Sequence, residues 1–311
     1  LLLDMVQRAD VLVENFAPGV ADRLGLGAEA IAVANPSIIH CSITAFGEQE
    51  GPGYDLVIQG MSGLMSITGA EEGPPMKVGV AITDVIAGLQ ASSAILAAVV
   101  ARNRSGRGDR VSISLMGSAV AALVNVGQAH LVSGSPVRRW GNAHPQIVPY
   151  QVFASADGYL TVAAGNDKLY TAMCQVIGRE DLAADSRFDT NPHRVENRAA
   201  LISVLEAIFA QRATRKWLEA LQAAEVPCGS VSSLEDLFTG SESPPGVEML
   251  TLESGSGAPY RTVGSAVQMT GKRRQPAGAP LVGEHTDQVL GELLDLAPER
   301  LLQLRADSVI R

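Results

Sequence analysis

One carboxylate, Asp84, stands where an apolar extended segment turns into a long apolar helix pattern. Residues 78–83 before it carry no charge, and the apolar run 85–100 after it predicts a helix. A helix start collects free backbone N–H groups and the positive end of the helix dipole, and both favour an ionised carboxylate. Such a carboxylate can cap the helix, and it can also attack an activated acyl group. Helix statistics alone favour the capping role, so the choice between the two roles depends on the rest of the sequence.

Motifs for most other catalytic chemistries are missing from the sequence. No dinucleotide-binding GxGxxG follows a predicted strand, and the chain contains no P-loop, HExxH or GxSxG motif. The five histidines lack metal-ligand spacing, and His40 has the setting of an interior residue. We therefore expect no metal site and no dinucleotide cofactor, which leaves a carboxylate as the leading nucleophile.

The composition predicts a globular protein with a substantial core. The 311 residues are 46% hydrophobic and 18% charged, and the formal net charge is −9. Phosphate binding needs clustered Lys and Arg, so we expect no nucleic-acid partner. The basic runs are short, and they lie at 102–110, at Arg138-Arg139 and at Lys272-Arg273-Arg274.

Cysteine usage and hydropathy indicate the compartment. Cys41, Cys174 and Cys228 are widely spaced and form no CxxC motif, which predicts a reducing, cytoplasmic location. The apolar run 85–101 is slightly short for a membrane span and contains Gln90. We therefore expect a buried helix there and no membrane partner.

The elements that must position Asp84 begin with a predicted βαβ unit. Residues 10–14 and 37–43 have the pattern of short buried strands, and residues 18–24 between them begin a helix. Parallel sheets bind ligands at the carboxyl ends of their strands. The segments that follow the two strands, 14–16 and 44–47, are therefore candidate site segments.

The other predicted elements indicate a second domain. An aperiodic segment at 133–149 precedes a predicted hairpin at 150–163. A strand is expected at 111–115, and Glu284 and His285 open a C-terminal helix. Residues 239–259 have the composition of an exposed loop, with two short extended pieces after it. The further helical patterns cover 54–65, 116–131, 167–178, 195–211 and 214–224, the last with Thr214 as a possible cap.

Several separated motifs occur in a fixed order along the chain. They are Ala-Asp-Val-Leu-Val-Glu-Asn-Phe-Ala-Pro-Gly-Val at 9–20, Asn35-Pro36-Ser37-Ile38-Ile39, Gly53-Tyr54-Asp55, Val80-Ala81-Ile82-Thr83-Asp84, Arg104-Ser105-Gly106-Arg107-Gly108 and the closing 279–286. Together they resemble the motifs of the class III CoA-transferases, the family that includes formyl-CoA transferase, carnitine CoA-transferase and α-methylacyl-CoA racemase. Within the family, the segments 139–144, 147–151 and 163–166 are most similar to succinate–hydroxymethylglutarate CoA-transferase and relatives acting on dicarboxylates.

The resemblance implies a chemistry and a set of site residues. Asp84 would attack an acyl-CoA thioester, form a mixed anhydride and then an aspartyl-CoA thioester, and pass CoA to a carboxylic acid. Coenzyme A would enter as a substrate, and no further cofactor would be needed. The positions that match CoA-contacting residues or flank the nucleophile are Asn15, Phe16, Arg23, Tyr54 and Asp55.

Several of these residues also have ordinary structural explanations. Tyr54 could simply pack, Asp55 could be a solvated acid of a first helical turn, and Arg23 could lie on a helix surface. Separately, Arg138, Arg139 and His144 are candidates for a second substrate carboxylate, because arginine binds carboxylates bidentately. The alternative for these three is a basic surface loop.

The resemblance also implies an architecture and an assembly. The expected fold is α/β, with a doubly wound large domain, a smaller α+β domain, a C-terminal segment returning to the large domain, and an interlocked homodimer. The expected parts are the CoA-binding domain at 1–132, a linker at 133–149, the small domain at 150–238, a connecting segment at 239–274 and the C-terminal segment at 275–311.

Two departures from the family pattern bear on function. Racemases of the family carry a histidine where this chain has Tyr54, which argues against an acyl-CoA racemase or epimerase. Family members also begin roughly 70 residues earlier, about two βα units of a doubly wound sheet. The chain is thus expected to be truncated at its N-terminus, which keeps a non-catalytic CoA-binding homologue as a second alternative.

Overall fold

A computed structural model describes residues 1–49, 51, 53–239, 244–271 and 276–311. The basic run Lys272-Arg273-Arg274 lies outside the described residues. The structure divides into two compact units. Unit 1 comprises residues 1–62, 79–124 and 237–311, and unit 2 comprises residues 63–78 and 125–236.

The described helices and strands are numbered in chain order. The strands are β1 (Val11–Glu14), β2 (Ile39–Thr44), β3 (Asp109–Ser114), β4 (Tyr150–Ala154), β5 (Tyr159–Ala163), β6 (Cys228–Ser230), β7 (Met249–Glu253) and β8 (Pro259–Val263). The helices are α1 (Leu2–Arg8), α2 (Val20–Arg23), α3 (Ala28–Ala34), α4 (Asp55–Met61), α5 (Leu64–Ile67), α6 (Ile82–Ser105), α7 (Leu115–Ala121), α8 (Val124–Ser133), α9 (Asp167–Val176), α10 (Glu180–Ala184), α11 (Asn191–Glu196), α12 (Arg198–Phe209), α13 (Thr214–Ala223), α14 (Leu234–Thr239), α15 (Thr286–Leu294) and α16 (Pro298–Ala306).

Unit 1 is built on a parallel sheet with the strand order β1-β2-β3. Leu12 pairs with His40, and Cys41 pairs with Val111. The crossover from β1 to β2 contains α2 and α3, so the predicted βαβ unit is confirmed. Helices α4, α6 and α7 contact one another, and β2, β3 and α7 contact α6. This packing brings the starts of α4 and α6 to the sheet.

The prediction that 85–101 forms a buried helix is wrong for this chain on its own. The buried residues of α6 are Thr83 and three alanines, whereas its large side chains face outward. Leu89 and Leu96 are each 66% exposed. By length and composition α6 could cross a membrane, and so could the bent pair of α7 and α8. In the fold, however, the small residues of α6 lie against the sheet, because alanine permits close packing.

Several predicted helices are interrupted. The 54–65 helix breaks at Gly63, whose φ of 87° is a left-handed conformation that ends a helix. The 116–131 helix breaks before Val124, which has a φ of 36°. The 195–211 helix breaks at Asn197, whose side chain donates to backbone carbonyls of Arg187 and His193. Periodicity alone does not reveal these breaks, because the apolar pattern continues across them.

Unit 2 contains an antiparallel sheet with the order β4-β5-β6, and the predicted hairpin at 150–163 is confirmed. Thr214 does not cap α13. It is the first helical residue, and both its N–H and its hydroxyl donate to Asp157 in the turn of the hairpin. The core combines aliphatic and aromatic side chains, and the ring of Phe209 contacts those of Phe153 and Trp217.

The C-terminal part of the chain belongs to unit 1, and α15 contacts α1. His285 is the N-cap residue of α15, in agreement with the predicted helix start. The predicted loop 239–259 is too long, because β7 pairs with β8 as an antiparallel hairpin. Alternating apolar and polar residues in β7 are typical of such a strand.

Candidate active site

A cavity of about 550 Å³ lies in unit 1 at the carboxyl ends of β1 and β2. Its volume is in the range of small-molecule sites. Helices α4 and α6 begin on its wall. Asp84 lines this cavity together with Asn15, Phe16, Tyr54 and Asp55. The structure therefore brings together five residues that are separated by up to 69 positions in the sequence (84 − 15).

Asp84 is the third residue of α6, and it is not the N-cap residue. That position is occupied by Ala81, which makes no side-chain cap hydrogen bond. The interpretation of Asp84 as a plain N-cap is therefore wrong. Asp84 is exposed to solvent within this chain, on the cavity wall. Its carboxylate sits in the first helical turn, where the helix dipole favours negative charge.

The pKa of Asp84 is raised from its ordinary value. Partial burial is the larger cause, because it disfavours the charged form, and the negative charge of Asp55 is the second cause. A more basic carboxylate is a stronger nucleophile as long as it stays ionised at the working pH. A carboxylate in this position on the cavity wall can thus act as a nucleophile towards an activated acyl group.

Asp55 is tied to the start of α6. Its Oδ1 atom accepts hydrogen bonds from the backbone N–H of Thr83 at 3.0 Å and from the Thr83 hydroxyl at 2.8 Å. Its Oδ2 atom accepts a hydrogen bond from Nε2 of Gln59 at 2.7 Å. Asp55 is therefore not a solvated first-turn acid. It joins α4 to the helix that carries Asp84.

Gly53 lets the chain pass close to the end of β2 immediately before Tyr54. A Cβ atom at Gly53 would collide with the Cβ of Ala45, so only glycine permits this close approach at the end of β2. Tyr54 itself lines the cavity and is 79% exposed. Its ring is therefore not held in the core of unit 1, and simple packing does not account for it.

The turn after β1 is held by Glu14, whose Oε2 accepts a hydrogen bond from the backbone N–H of Phe16 at 2.8 Å. Nε2 of the buried His40 lies 3.8 Å from Oε1 of Glu14. This carboxylate fixes the segment that presents Asn15 and Phe16 to the cavity. Arg23, in contrast, is exposed on α2 and does not line the cavity.

The remaining candidates belong to unit 2. Arg138 pairs with Glu71 at 2.8 Å, and His144 accepts a hydrogen bond from the backbone N–H of Gln146 through Nδ1. Arg139 donates to the backbone carbonyls of residues 70, 71 and 73. The guanidinium of Arg139 is therefore engaged in holding a loop, whereas that of Arg138 contacts two side chains, Glu71 and the ring of Trp140, which lies 3.8 Å from it.

Sequence reasoning missed Gln59 and Thr83. Both side chains are fully buried, and both contact Asp55. One signal was available for Gln59, which lies four residues after Asp55 and so on the same face of a helix.

Among the residues that the structure describes, no group of three or more His, Cys, Asp or Glu side chains is placed to hold a metal ion.

Comparison with known proteins identifies the family. The profile of CoA-transferase family III matches residues 1–286. The chain belongs to this family. It is therefore a class III CoA-transferase, and its mixed α/β fold matches that of a solved member. The crystal structure of a CAIB/BAIF family protein from Brucella suis matches with a TM-score of 0.77 and 34% identity, over 94% of this chain and 77% of that one.

Relatives of this CoA-transferase include proteins named for dicarboxylates. It is 37% identical to succinyl-CoA:glutarate CoA-transferase of Mus musculus, over 100% of this chain and 72% of that protein. It is 38% identical to succinate–glutarate CoA-transferase of Agrobacterium fabrum, over 94% of this chain and 74% of that protein. The predicted family and the predicted enzyme class are thus confirmed.

The raised pKa of Asp84 predicts how Asp84→Asn affects the stability of this CoA-transferase. The folded-state pKa lies above the unfolded value, so ionising Asp84 costs stability at neutral pH and costs nothing at a pH below the unfolded value. We expect the variant to be more stable than the parent at pH 8 by less than about 1 kcal/mol, since solvent screens an exposed group. Urea unfolding should show this gain vanishing as the pH falls towards 4, the region of an ordinary Asp pKa.

The matched control is Glu29→Gln, which removes one negative charge from an exposed position on α3. This control should not be stabilised at pH 8. A gain for Asp84→Asn that grows towards acid pH would contradict the stated environment of Asp84.

Proposed function

We propose that this CoA-transferase moves CoA from a dicarboxylyl-CoA, such as succinyl-CoA, to a carboxylic acid, with Asp84 as the covalent acyl carrier. The observation that carries the proposal is the position of Asp84. A carboxylate of raised pKa lies in the first turn of α6, on the wall of a cavity large enough for a small-molecule group. The Asp84 side chain can carry both groups itself, because carboxylates form anhydrides and thioesters directly.

The proposed reaction begins with two exchanges on Asp84. An Asp84 oxygen attacks the thioester carbonyl, the C–S bond breaks, and a mixed anhydride and CoA thiolate form. The thiolate then attacks the carbonyl carbon of the Asp84 side chain. The anhydride C–O bond breaks and releases the donor as succinate. Asp84 now carries CoA as a thioester, and no proton has been gained or lost.

The acceptor reverses these exchanges. Its carboxylate attacks the Asp84 thioester and displaces the thiolate, which gives a second anhydride. The thiolate attacks the acyl carbon of the acceptor, and the Asp84 carboxylate leaves. Asn15, Phe16 and Tyr54 on the cavity wall are the proposed CoA contacts, together with Arg23 on the neighbouring α2.

The substrate class is inferred from the relatives. Two of them are named for succinyl-CoA or succinate together with glutarate, so we propose a short dicarboxylate for the donor and glutarate as the first acceptor to test. A dicarboxylate has a second carboxylate to be bound, and arginine suits that role. Of the three candidates Arg138, Arg139 and His144, we propose Arg138 for this role, because its contacts are to the side chains of Glu71 and Trp140, whereas Arg139 is engaged with backbone carbonyls.

One assay distinguishes CoA transfer from the racemase and non-catalytic alternatives. Incubation with succinyl-CoA and hydroxylamine should convert Asp84 of the transferase to a hydroxamate, which peptide mass spectrometry detects. Asp84→Asn should lower CoA transfer by about 10³-fold or more, since it removes the nucleophile. Asp4→Asn, at an exposed position on α1, should transfer CoA at the parent rate.

An unmarked Asp84 in a folded protein that binds succinyl-CoA would favour the non-catalytic homologue. Epimerisation of a branched acyl-CoA without transfer would favour the racemase. Full transfer by Asp84→Asn would refute the assignment of the nucleophile.

The two arginines lead to different expectations. Arg138→Ala should raise the KM for glutarate by about 10-fold or more, because a charge-assisted bidentate contact is lost, and it should leave the KM for succinyl-CoA near the parent value. Steady-state kinetics with each substrate varied in turn makes the comparison. Arg139→Ala should instead reduce thermal stability, because Arg139 holds the backbone of residues 70–73. An unchanged KM for glutarate in Arg138→Ala would exclude this residue from acceptor binding.

We also propose that the enzyme is a cytoplasmic, interlocked homodimer with a doubly wound large domain and a smaller α+β domain. The exposed apolar face of α6 supports the association, since faces of this kind mark interfaces. It carries Val85, Leu89, Leu96 and Val100, each at least half exposed within one chain.

The double variant Leu89→Glu/Leu96→Glu should shift the protein from dimer to monomer in sedimentation at micromolar concentration, because it places charges on the apolar face of α6. Gln7→Glu, which adds a charge at an exposed position of α1, should remain dimeric. A monomeric parent protein, or a double variant that dimerises as well as the parent, would rule out this face as the interface.

A further inference from the structure

We propose that Gln59 and Thr83 are positioning residues for the nucleophile, because they clamp the carboxylate of Asp55 against the first turn of α6 and so set the place of Asp84 in the cavity. This inference rests on the proposed function of Asp84. The three side chains are called the Asp55 clamp below.

The clamp is buried and its contacts are short. Gln59 and Thr83 are each 0% exposed. Both Asp55 oxygens are engaged, one by the N–H and hydroxyl of Thr83 and the other by the amide of Gln59, at distances of 2.7 to 3.0 Å. Gln59 also donates to the backbone carbonyl of Val80 at 3.4 Å, just before α6 begins. The clamp therefore contacts the chain on both sides of the helix start.

The start of α6 needs an external cap. The first N–H groups of a helix have no partners within the helix, and Ala81 at the N-cap position has no side chain that could accept from them. Asp55 accepts from one of these groups, the N–H of Thr83. Hydrogen bonds to a charged acceptor are stronger than neutral ones. The clamp thus fixes the backbone immediately before Asp84.

The clamp also holds the charge of Asp55 beside Asp84. That charge is the second cause of the raised pKa of Asp84, after partial burial. Among the residues that line the cavity, the titratable ones are Asp84, Asp55 and Tyr54. Loss of a clamp contact should therefore displace Asp84 and alter its position relative to the Asp55 carboxylate. A displacement of about 1 Å can cost about 10²-fold in rate.

The test compares near-isosteric variants that remove one donor each. Thr83→Val removes the hydroxyl and keeps the backbone N–H, and Thr83→Ser restores the hydroxyl. Gln59→Leu removes the amide. At saturating succinyl-CoA we expect kcat to fall by about 10- to 100-fold in Thr83→Val and Gln59→Leu, with the KM for succinyl-CoA within about threefold of the parent. Thr83→Ser should recover most of the parent kcat.

The pH profile separates positioning from mere stability. Because the charge of Asp55 contributes to the raised pKa of Asp84, a weakened clamp that changes the distance between the two carboxylates should shift the acidic limb of kcat in the folded variants. A lower melting temperature with the parent kcat and the parent acidic limb would overturn the proposal. If Gln59→Leu does not fold, the Thr83→Val and Thr83→Ser pair decides alone, since valine and serine differ from threonine by one group each.

Asp84→Asn, measured in parallel, keeps the two proposals apart. Full transfer by Asp84→Asn would overturn the proposed function and this inference with it. An inactive Asp84→Asn beside fully active Thr83→Val and Gln59→Leu would leave the nucleophile in place and refute the clamp alone.

Discussion

The start of α6 depends on a carboxylate that another helix supplies. The side chain of Ala81 cannot accept from the N–H groups of the first turn, and Asp55 of α4 accepts from one of them, that of Thr83. The contact joins two elements that are distant in sequence, and it sits one residue before Asp84. A helix of 24 residues is thereby anchored at the end that carries Asp84. The same carboxylate places a like charge near Asp84, so one interaction fixes the helix start and contributes to the raised pKa of Asp84.

The sheet determines what surrounds this helix start. Parallel strands end at the same edge, so the residues after β1 and β2 meet there. After β1, the backbone N–H of Phe16 donates to the Glu14 carboxylate. After β2, the Cβ of Ala45 lies close against Gly53. The cavity is therefore a consequence of the βαβ topology, and its chemistry comes from the few polar side chains at its edge. The proposed function is assigned to these side chains, since the fold alone supports many activities.

Sequence patterns predicted the strands of the parallel sheet and the segments that line the cavity, for physical reasons. Short apolar runs bounded by turn residues predicted β1 and β2, and the order of motifs predicted the group of residues around Asp84. The N-cap interpretation failed because α6 begins two residues before Asp84, and the boundary of a helix is weakly encoded when the flanking residues are apolar. Gln59 was missed because a buried polar residue shows its purpose only when its partner across the fold is known.

Apolar residues lie on both faces of α6, but only one face is covered within the chain. Hydropathy predicted burial, yet one face of the helix packs with alanines while the other carries large exposed side chains, including Leu89 and Leu96. The composition of a segment gives its apolar content, but it does not determine what covers each face of the helix. The alanines allow α6 to lie close to the sheet, which brings its first turn to the cavity. The outward leucines lie on the face away from that placement, so their apolar character requires a separate cause, and the proposed dimer interface is one that the exposed face would fit.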